Sequence, residues 1–333
     1  MDLRLLLLLF VSTLVSPARA EVTTVMSGYQ YGLTYLPLMV MQEQHLVEAH
    51  AKAAGLGALT AEWRVLSGPA AINDGLLSGS LNFGAVGTSS LVTLWAKTRK
   101  NLGIRAVGGL SSMPTYLNTN NPAIKSVKDF TKNDRIALPS VKVGVQAVVL
   151  QMAAAQAFGP AEFSRLDALT VGLGHPDAFV ALMSGKSEIT THFASAPFAT
   201  RELRDGHGKI HTVLKSTDVL GGKATFTAIV ATDKFRLANP KVYAAYAEAF
   251  ATATQWIRDH KSAAADLYIK VSATKDSAAE ILELLRDPDN EFDLTPHKLT
   301  LFADFMLQVG TIKEKATSWK DLAHPNLYSL PGS

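Results

Sequence analysis

The sequence predicts an α/β protein of two lobes, each a mostly parallel sheet flanked by helices. Three observations predict it. A strand, a turn of small residues and a helix follow one another repeatedly along the chain. The pattern restarts near Met113 and returns to the first unit near Ala224. The 333 residues, 47% hydrophobic and 18% charged, supply core enough for two domains of ordinary size.

The elements follow in order. Arg4 precedes an apolar run over residues 5–15, and Ser16-Pro17-Ala18-Arg19-Ala20 ends with small residues at Ala18 and Ala20. This is the pattern of a secretory leader, too short to span a bilayer permanently. The mature chain is expected to begin at Glu21, in the periplasm. Residues 22–26 read as a strand, and the loop Ser27-Gly28-Tyr29-Gln30-Tyr31-Gly32 leads to a helix over 34–53 with Leu36, Met39, Val40 and Val47 on one face. Residues 62–66 form the second strand, and Ser67-Gly68-Pro69 opens a helix closed by Gly79. A third strand over 81–85 runs through Val86-Gly87-Thr88-Ser89 into a helix ending near Lys97, and a fourth covers 104–108.

In the second unit, Ser126 with Asp129 forms a capping signal. Strands are expected over 135–138, 169–171 and 188–193, and helices over 145–157 and 176–183. Residues 225–231 read as a strand rejoining the first unit. Asn239-Pro240 and Thr295-Pro296 are helix starts. After the first, Val242, Tyr246, Phe250, Ala253 and Ile257 make a stripe that faces a core. The expected division is a first lobe of residues 21–112 and 224–333, and a second lobe of 113–223.

Composition narrows the function. The net charge of +3, of which the leader contributes +1, gives no footprint for nucleic acid. The complete lack of cysteine removes disulfides, thiolate chemistry and a lipid-anchoring cysteine. The nine histidines are scattered, with no HExxH and no metal-ligand spacing. Gly84-x-x-Gly87 falls short of a dinucleotide fingerprint, Ser184-Gly185-Lys186 lacks the SxxK spacing, and there is no GxSxG. No cofactor is implied. His175 and His192 are candidates for a base, but the sequence sets neither beside a nucleophile.

Ligands of open α/β sheets bind beyond the carboxyl ends of the strands. Five loops fall there: Tyr29-Gln30-Tyr31, Ser67-Gly68, Gly87-Thr88-Ser89, Ser140-Val141-Lys142-Val143 and Ala194-Ser195-Ala196-Pro197. Taken singly, each is explained as turn and cap chemistry. Five at equivalent positions point to a cleft whose amides and hydroxyls suit a small anion. Tyr29, Tyr31 and Tyr35 either cover a ligand body or cap the sheet edge. Lys142 either stands over an anionic head or is solvated.

Taken together, these segments resemble the solute-binding proteins of ABC importers in the nitrate/sulfonate/taurine group, which includes thiamine-pyrimidine precursor receptors. The likeness is carried by Gly28-Tyr29-Gln30-Tyr31-Gly32, Ser67-Gly68-Pro69, the run from Asn73 to Gly84, Ile124-Lys125-Ser126-Val127-Lys128-Asp129-Phe130 and Phe193-Ala194-Ser195-Ala196-Pro197-Phe198. It implies a two-lobed periplasmic binding protein of type II, monomeric, that clasps a small solute and delivers it to a membrane permease. By position it implies ligand contacts from Tyr29, Gln30, Tyr31, Ser67, Gly68, Thr88, Ser89, Ser140, Val141, Phe193, Ser195 and Phe198. Ser195-Ala196 replaces the acidic residue that sulfonate and taurine receptors often carry before this proline, so a ligand amine would lack its counter-charge. The cysteine-rich motif of pyrimidine synthases on this fold is absent. Two rivals remain: a periplasmic lyase or hydrolase on the same scaffold, and a sensor subunit that presents its ligand to a membrane receptor.

Overall fold

A computed structural model describes residues 20–333. The leader expected over 1–20 lies outside the described residues, apart from Ala20. The strands are β1 (Thr24–Tyr29), β2 (Thr60–Val65), β3 (Phe83–Gly87), β4 (Ile104–Ser111), β5 (Tyr116–Thr119), β6 (Ile136–Leu138), β7 (Thr170–Gly172), β8 (Thr191–Ala194), β9 (His211–Lys215) and β10 (Thr227–Thr232). They form two five-stranded sheets, ordered β2-β1-β3-β10-β4 and β7-β6-β8-β5-β9. In each sheet one strand opposes its neighbours. β10 runs antiparallel to β3 and β4, and β5 antiparallel to β8 and β9.

The first seven helices are α1 (Leu36–Glu43), α2 (Leu46–Ala53), α3 (Pro69–Ser78), α4 (Thr88–Thr98), α5 (Val145–Phe158), α6 (His175–Ser184) and α7 (Phe198–Asp205). Then come α8 (Ser216–Leu220), α9 (Asp233–Ala238), α10 (Pro240–Asp259), α11 (Lys261–Ser272), α12 (Ala278–Arg286) and α13 (Leu299–Gln308). The single helix expected over 34–53 is broken. His45 takes φ 50°, a left-handed conformation that turns the chain between α1 and α2.

The Val242-Tyr246-Phe250-Ala253-Ile257 stripe is fully buried, and Tyr246 stacks on Phe83 of β3. Each such side chain contributes roughly 1.5–3 kcal/mol of burial. The free N–H groups at the start of α10 are met by Glu21, whose carboxylate accepts from Lys241 (3.0 Å) and Val242 (2.8 Å). In α5 all residues from Val145 to Ala154 are buried, which is why that segment is apolar on every face. β4 meets the 293–295 loop so closely that Gly109 donates to Leu294 O at 2.9 Å. A Cβ there would stand 2.7 Å from Asp293 O.

The chain passes between the sheets twice, and the two crossings are tied. Thr115 N donates to Ser216 Oγ and Ser216 N to Thr115 O, both at 2.9 Å. Among the described residues no helix is long and apolar enough to cross a membrane.

Candidate functional site

Four helices begin at the gap between the two sheets: α3 and α4 from the first, α5 and α6 from the second. Their N-caps are Gly68, Gly87, Gly144 and Gly174, all with extended backbones and none with a side-chain cap. A glycine cap leaves the N–H groups of the first turn to other acceptors, and the helix dipole makes that end favourable to negative charge. At Gly144 a Cβ would lie 2.7 Å from Ser140 O, so glycine is what allows that tight entry to α5.

These ends surround an inner cavity of about 40 Å³. One side presents Gln30, Tyr31, Thr34, Tyr35, Ser90 and Thr227, the other Ser140, Gln146, His175 and Ser195. Thr34, Ser111 and Thr227 share their hydroxyls beneath it, with Thr34–Thr227 at 2.8 Å and Ser111–Thr227 at 2.9 Å. The space holds no more than a few waters. This is therefore a shut cleft, held by bonds across it: Ser89 Oγ donates to Val143 O (2.8 Å) and Leu33 N to Ala196 O (3.2 Å).

Outside it, past Gln30 and Tyr31, which line both, opens a second cavity of about 380 Å³. Its walls are mostly apolar: Met39, Val65, Phe179, Val180, Phe198 and Val271, with Arg201 and Lys275 also present. A narrow inner space ringed by hydroxyl, amide and imidazole side chains thus adjoins a wider outer one.

On the second-lobe side a buried chain of polar groups leads away from the inner cavity. Ser195 Oγ lies 3.1 Å from His175 Nε2, and His175 Nδ1 lies 2.8 Å from His192 Nε2. His192 Nδ1 lies 2.5 Å from Glu202 Oε1. The other carboxylate oxygen accepts from Asn118 Nδ2 at 2.9 Å. His192, Glu202 and Asn118 are completely buried. Burial, and then the neighbouring His192, push the His175 imidazole well below its ordinary pKa.

The structure divides the sequence-derived residues. Gln30, Tyr31, Ser140 and Ser195 meet at the inner cavity, and Tyr29 and Phe198 line the outer one. Tyr29 is largely a packing residue. It is buried beside Tyr35 and Trp63, bonded to Gln42, and desolvation pushes its phenol up to about 12. Thr88 is turned away, because the segment that leads into β10 takes both its hydroxyl (to Thr225 O) and its N–H (to Phe226 O). Ser89 is spent on the cross-cleft bond to Val143. Phe193 points into the core of its own sheet, fully buried. Ser67 and Gly68 stand at the rim, facing Gly174 and Pro139. Val141 and Lys142 are exposed on the turn before α5 and line neither cavity, Lys142 at φ 64°. His175, which the sequence alone sets beside no nucleophile, contacts Ser195 across twenty residues of sequence.

Sequence reasoning passed over Gln146, Thr34, Ser90 and Thr227 as cavity residues, and offered His175 only as a base for the enzyme reading. For His175 a signal existed: Gly174-His175 follows a short strand and opens a helix, as in the five loops already singled out.

No protein-family model matches the chain, and no curated protein does. Solved structures do. The periplasmic aliphatic sulphonate binding protein SsuA from Escherichia coli is 16% identical, with 93% of this chain and 100% of that one covered at a TM-score of 0.67. The alkanesulfonate-binding protein SsuA from Xanthomonas axonopodis pv. citri, bound to MOPS, is 14% identical over 93% and 98%, TM-score 0.69. The periplasmic nitrate-binding protein NrtA from Synechocystis PCC 6803 is 15% identical over 93% and 88%, TM-score 0.72. At such identity the likeness shows the fold: this chain has the two-lobed fold of periplasmic binding proteins.

Proposed function

We propose that this protein is a periplasmic receptor that closes on a small solute between its lobes and passes it to an ABC permease. One observation carries the reading: uncapped helix N-termini and hydroxyls from both sheets converge on one polar cavity, bridged by bonds that exist only when the gap is shut. The neighbours named for sulfonate and nitrate binding support it. The solute we infer has a compact polar or anionic head in the inner cavity and an apolar body towards Phe179 and Phe198. Ligand enters an open form and favours the shut one by its difference in affinity for the two. Moving the balance from 1:99 to 99:1 takes roughly 5.5 kcal/mol, within reach of a few charge-assisted hydrogen bonds of about 1.5–3 kcal/mol each.

The lobes divide, on this reading, at 112/113 and 223/224, and the receptor acts as a monomer, freely soluble after loss of the leader. The test is native mass spectrometry of the purified protein, then a thermal-shift panel of sulfonates, nitrate, carboxylates and pyrimidines. A retained or stabilising solute that also shrinks the protein in X-ray scattering supports the receptor; identical scattering with every solute refutes it. The Ser195–His175 contact favours a second reading, a hydrolase with Ser195 as nucleophile and His175 as base. Turnover of the bound compound supports that, and its release unchanged supports the receptor.

A further inference from the structure

We propose that the chain Ser195–His175–His192–Glu202 couples ligand binding to protonation: His175 takes up one proton when an anionic head group enters the inner cavity. This rests on the receptor reading and names the class of ligand, a small organic or inorganic anion. It also explains how such a ligand is held with no lysine or arginine beside its head.

The lining of the inner cavity contains no Asp, Glu, Lys or Arg; its titratable side chains are His175 and the phenols of Tyr31 and Tyr35. Burial raises Tyr35 further beyond the physiological range. Only His175 is placed to supply positive charge there.

Counting protons shows where one can be added. The Asn118 amide is oriented by its own bonds: Nδ2 donates to Ala199 O (3.0 Å), and Oδ1 accepts from Thr212 Oγ1 (2.8 Å). Its other Nδ2 hydrogen therefore goes to Glu202 Oε2, which acts as an acceptor. One proton fills the gap between Glu202 Oε1 and His192 Nδ1, and one the gap between His192 Nε2 and His175 Nδ1. With these in place both rings are neutral, Glu202 is ionised, and His175 Nε2 accepts from Ser195. Both inner gaps are occupied, so a further proton can enter only at His175 Nε2, the end facing the cavity. It converts that nitrogen from acceptor to donor and frees the Ser195 hydroxyl to turn to the ligand. The new charge is matched by the Glu202 carboxylate at the far end of the chain, as an orienting carboxylate serves a histidine elsewhere.

The surrounding groups leave this role to His175. α5 presents Gln146, at 3.5 Å from Nε2, and α7 presents Phe198, stacked at 5.6 Å, as well as Glu202. Arg201 of α7 is engaged elsewhere, over Phe179 and beside Asp276. Asp177 of α6 and Lys142 before α5 are exposed. From the first lobe the facing side chains are Gln30, Tyr31, Thr34, Tyr35 and Thr227, all uncharged.

Without ligand, burial keeps His175 neutral at pH 7. An adjacent anion favours the charged form and raises its pKa. Binding then takes up a proton between the two values. The Kd tightens as pH falls through the bound-state pKa, by up to about tenfold per pH unit, and levels off below the free-state pKa.

The test uses nitrate and 1-butanesulfonate, which stay ionised from pH 5 to 8, in titration calorimetry with buffers of different ionisation enthalpy. Wild type is expected to take up as much as one proton per anion and to bind more tightly in acid. His175→Gln should lose the uptake and flatten the pH profile, and Glu202→Gln should move the profile to lower pH. Because a buried variant can fail to fold, nitrogen-15 NMR of the wild-type imidazoles gives a second readout, in which the anion should convert His175 Nε2 to the protonated type. Anion binding with no proton exchange at any pH overturns the proposal and leaves the receptor standing, as does closure on uncharged solutes alone. Absence of binding and closure with solutes of every class overturns the receptor reading, and this proposal with it.

Discussion

Asp276→Asn should unlatch the lobes. Asp276 sits on the turn before α12, in the first lobe, with its side chain 2% exposed. Across the gap, α7 of the second lobe sets Arg201 Nε 3.4 Å and Arg204 Nη1 3.7 Å from the same carboxylate oxygen. Thr274 donates to the other oxygen, and Arg204 also pairs with Glu280. At 3.4 Å and an effective dielectric of about 20, one such pair attracts by about 5 kcal/mol, most of it offset by desolvation. Exposed pairs net about 0.2–1 kcal/mol and truncated buried ones cost about 3–5. Asp276 is buried but its arginines are partly wet, and in the open form it regains water. The loss of closed-state stability is therefore about 1–2 kcal/mol, a factor of roughly 5–30 in the open–shut balance.

Amide for carboxylate keeps the size and the Thr274 contact, so the fold should survive. Ligand release, followed by stopped-flow fluorescence, should accelerate by up to that factor, and scattering should show a larger radius of gyration for the unliganded protein. High salt should act the same way on wild type through the half-exposed Arg204. Unchanged release and an unchanged radius, in a variant with native circular dichroism, would refute the latch.

Three further outcomes follow. Tyr31→Ala and Ser140→Ala should each weaken solute binding, by about 5- to 30-fold for a lost contact of about 1–2 kcal/mol, with denaturation midpoints unmoved; unchanged affinity in both would place the ligand elsewhere. Gly109→Ala should lower stability by about 1–3 kcal/mol in urea titration, because the new methyl meets the Asp293 and Thr295 carbonyls, which belong to backbone and cannot rotate away. Asp233, held down to a pKa of about 2 by His324, whose Nδ1 stands 3.4 Å away, and then by hydrogen bonding from Arg236 and the Arg105 charge, supports the fold fully above its unfolded pKa near 3.8. That support is lost as pH falls towards 2, so Asp233→Asn should cost most at pH 6 and little at pH 2, read from melting temperatures.

The parts of this molecule that were legible in its sequence are those that local chemistry decides. Gly68, Gly87 and Gly144 announce helices because a glycine before an apolar run is a start signal within five residues of itself. The stripe from Val242 to Ile257 fixes its helix and its buried face by periodicity alone. The edge strand β9 and the opposing strand β5 were not read, since His211–Lys215 and Tyr116–Thr119 take their pairing from partners far along the chain. The same limit governs the site. Thr88 looks like a ligand hydroxyl until Thr225, 137 residues later in sequence and just before β10, occupies it. His192 reads as a strand residue and a candidate base, Glu202 carries no local signal, and nothing in either position marks them as partners. Only the packing of α7 over β8 and β5 joins them, and it connects them outward through His175 to the cavity. A glycine that leaves amides free for an anion is written locally, whereas the charge that answers the anion is assembled from three separate elements. On the proposed reading, the class of ligand can be read from sequence before its counter-charge can, and the proton count along Ser195–His175–His192–Glu202 is where the fold supplies what the sequence alone withholds.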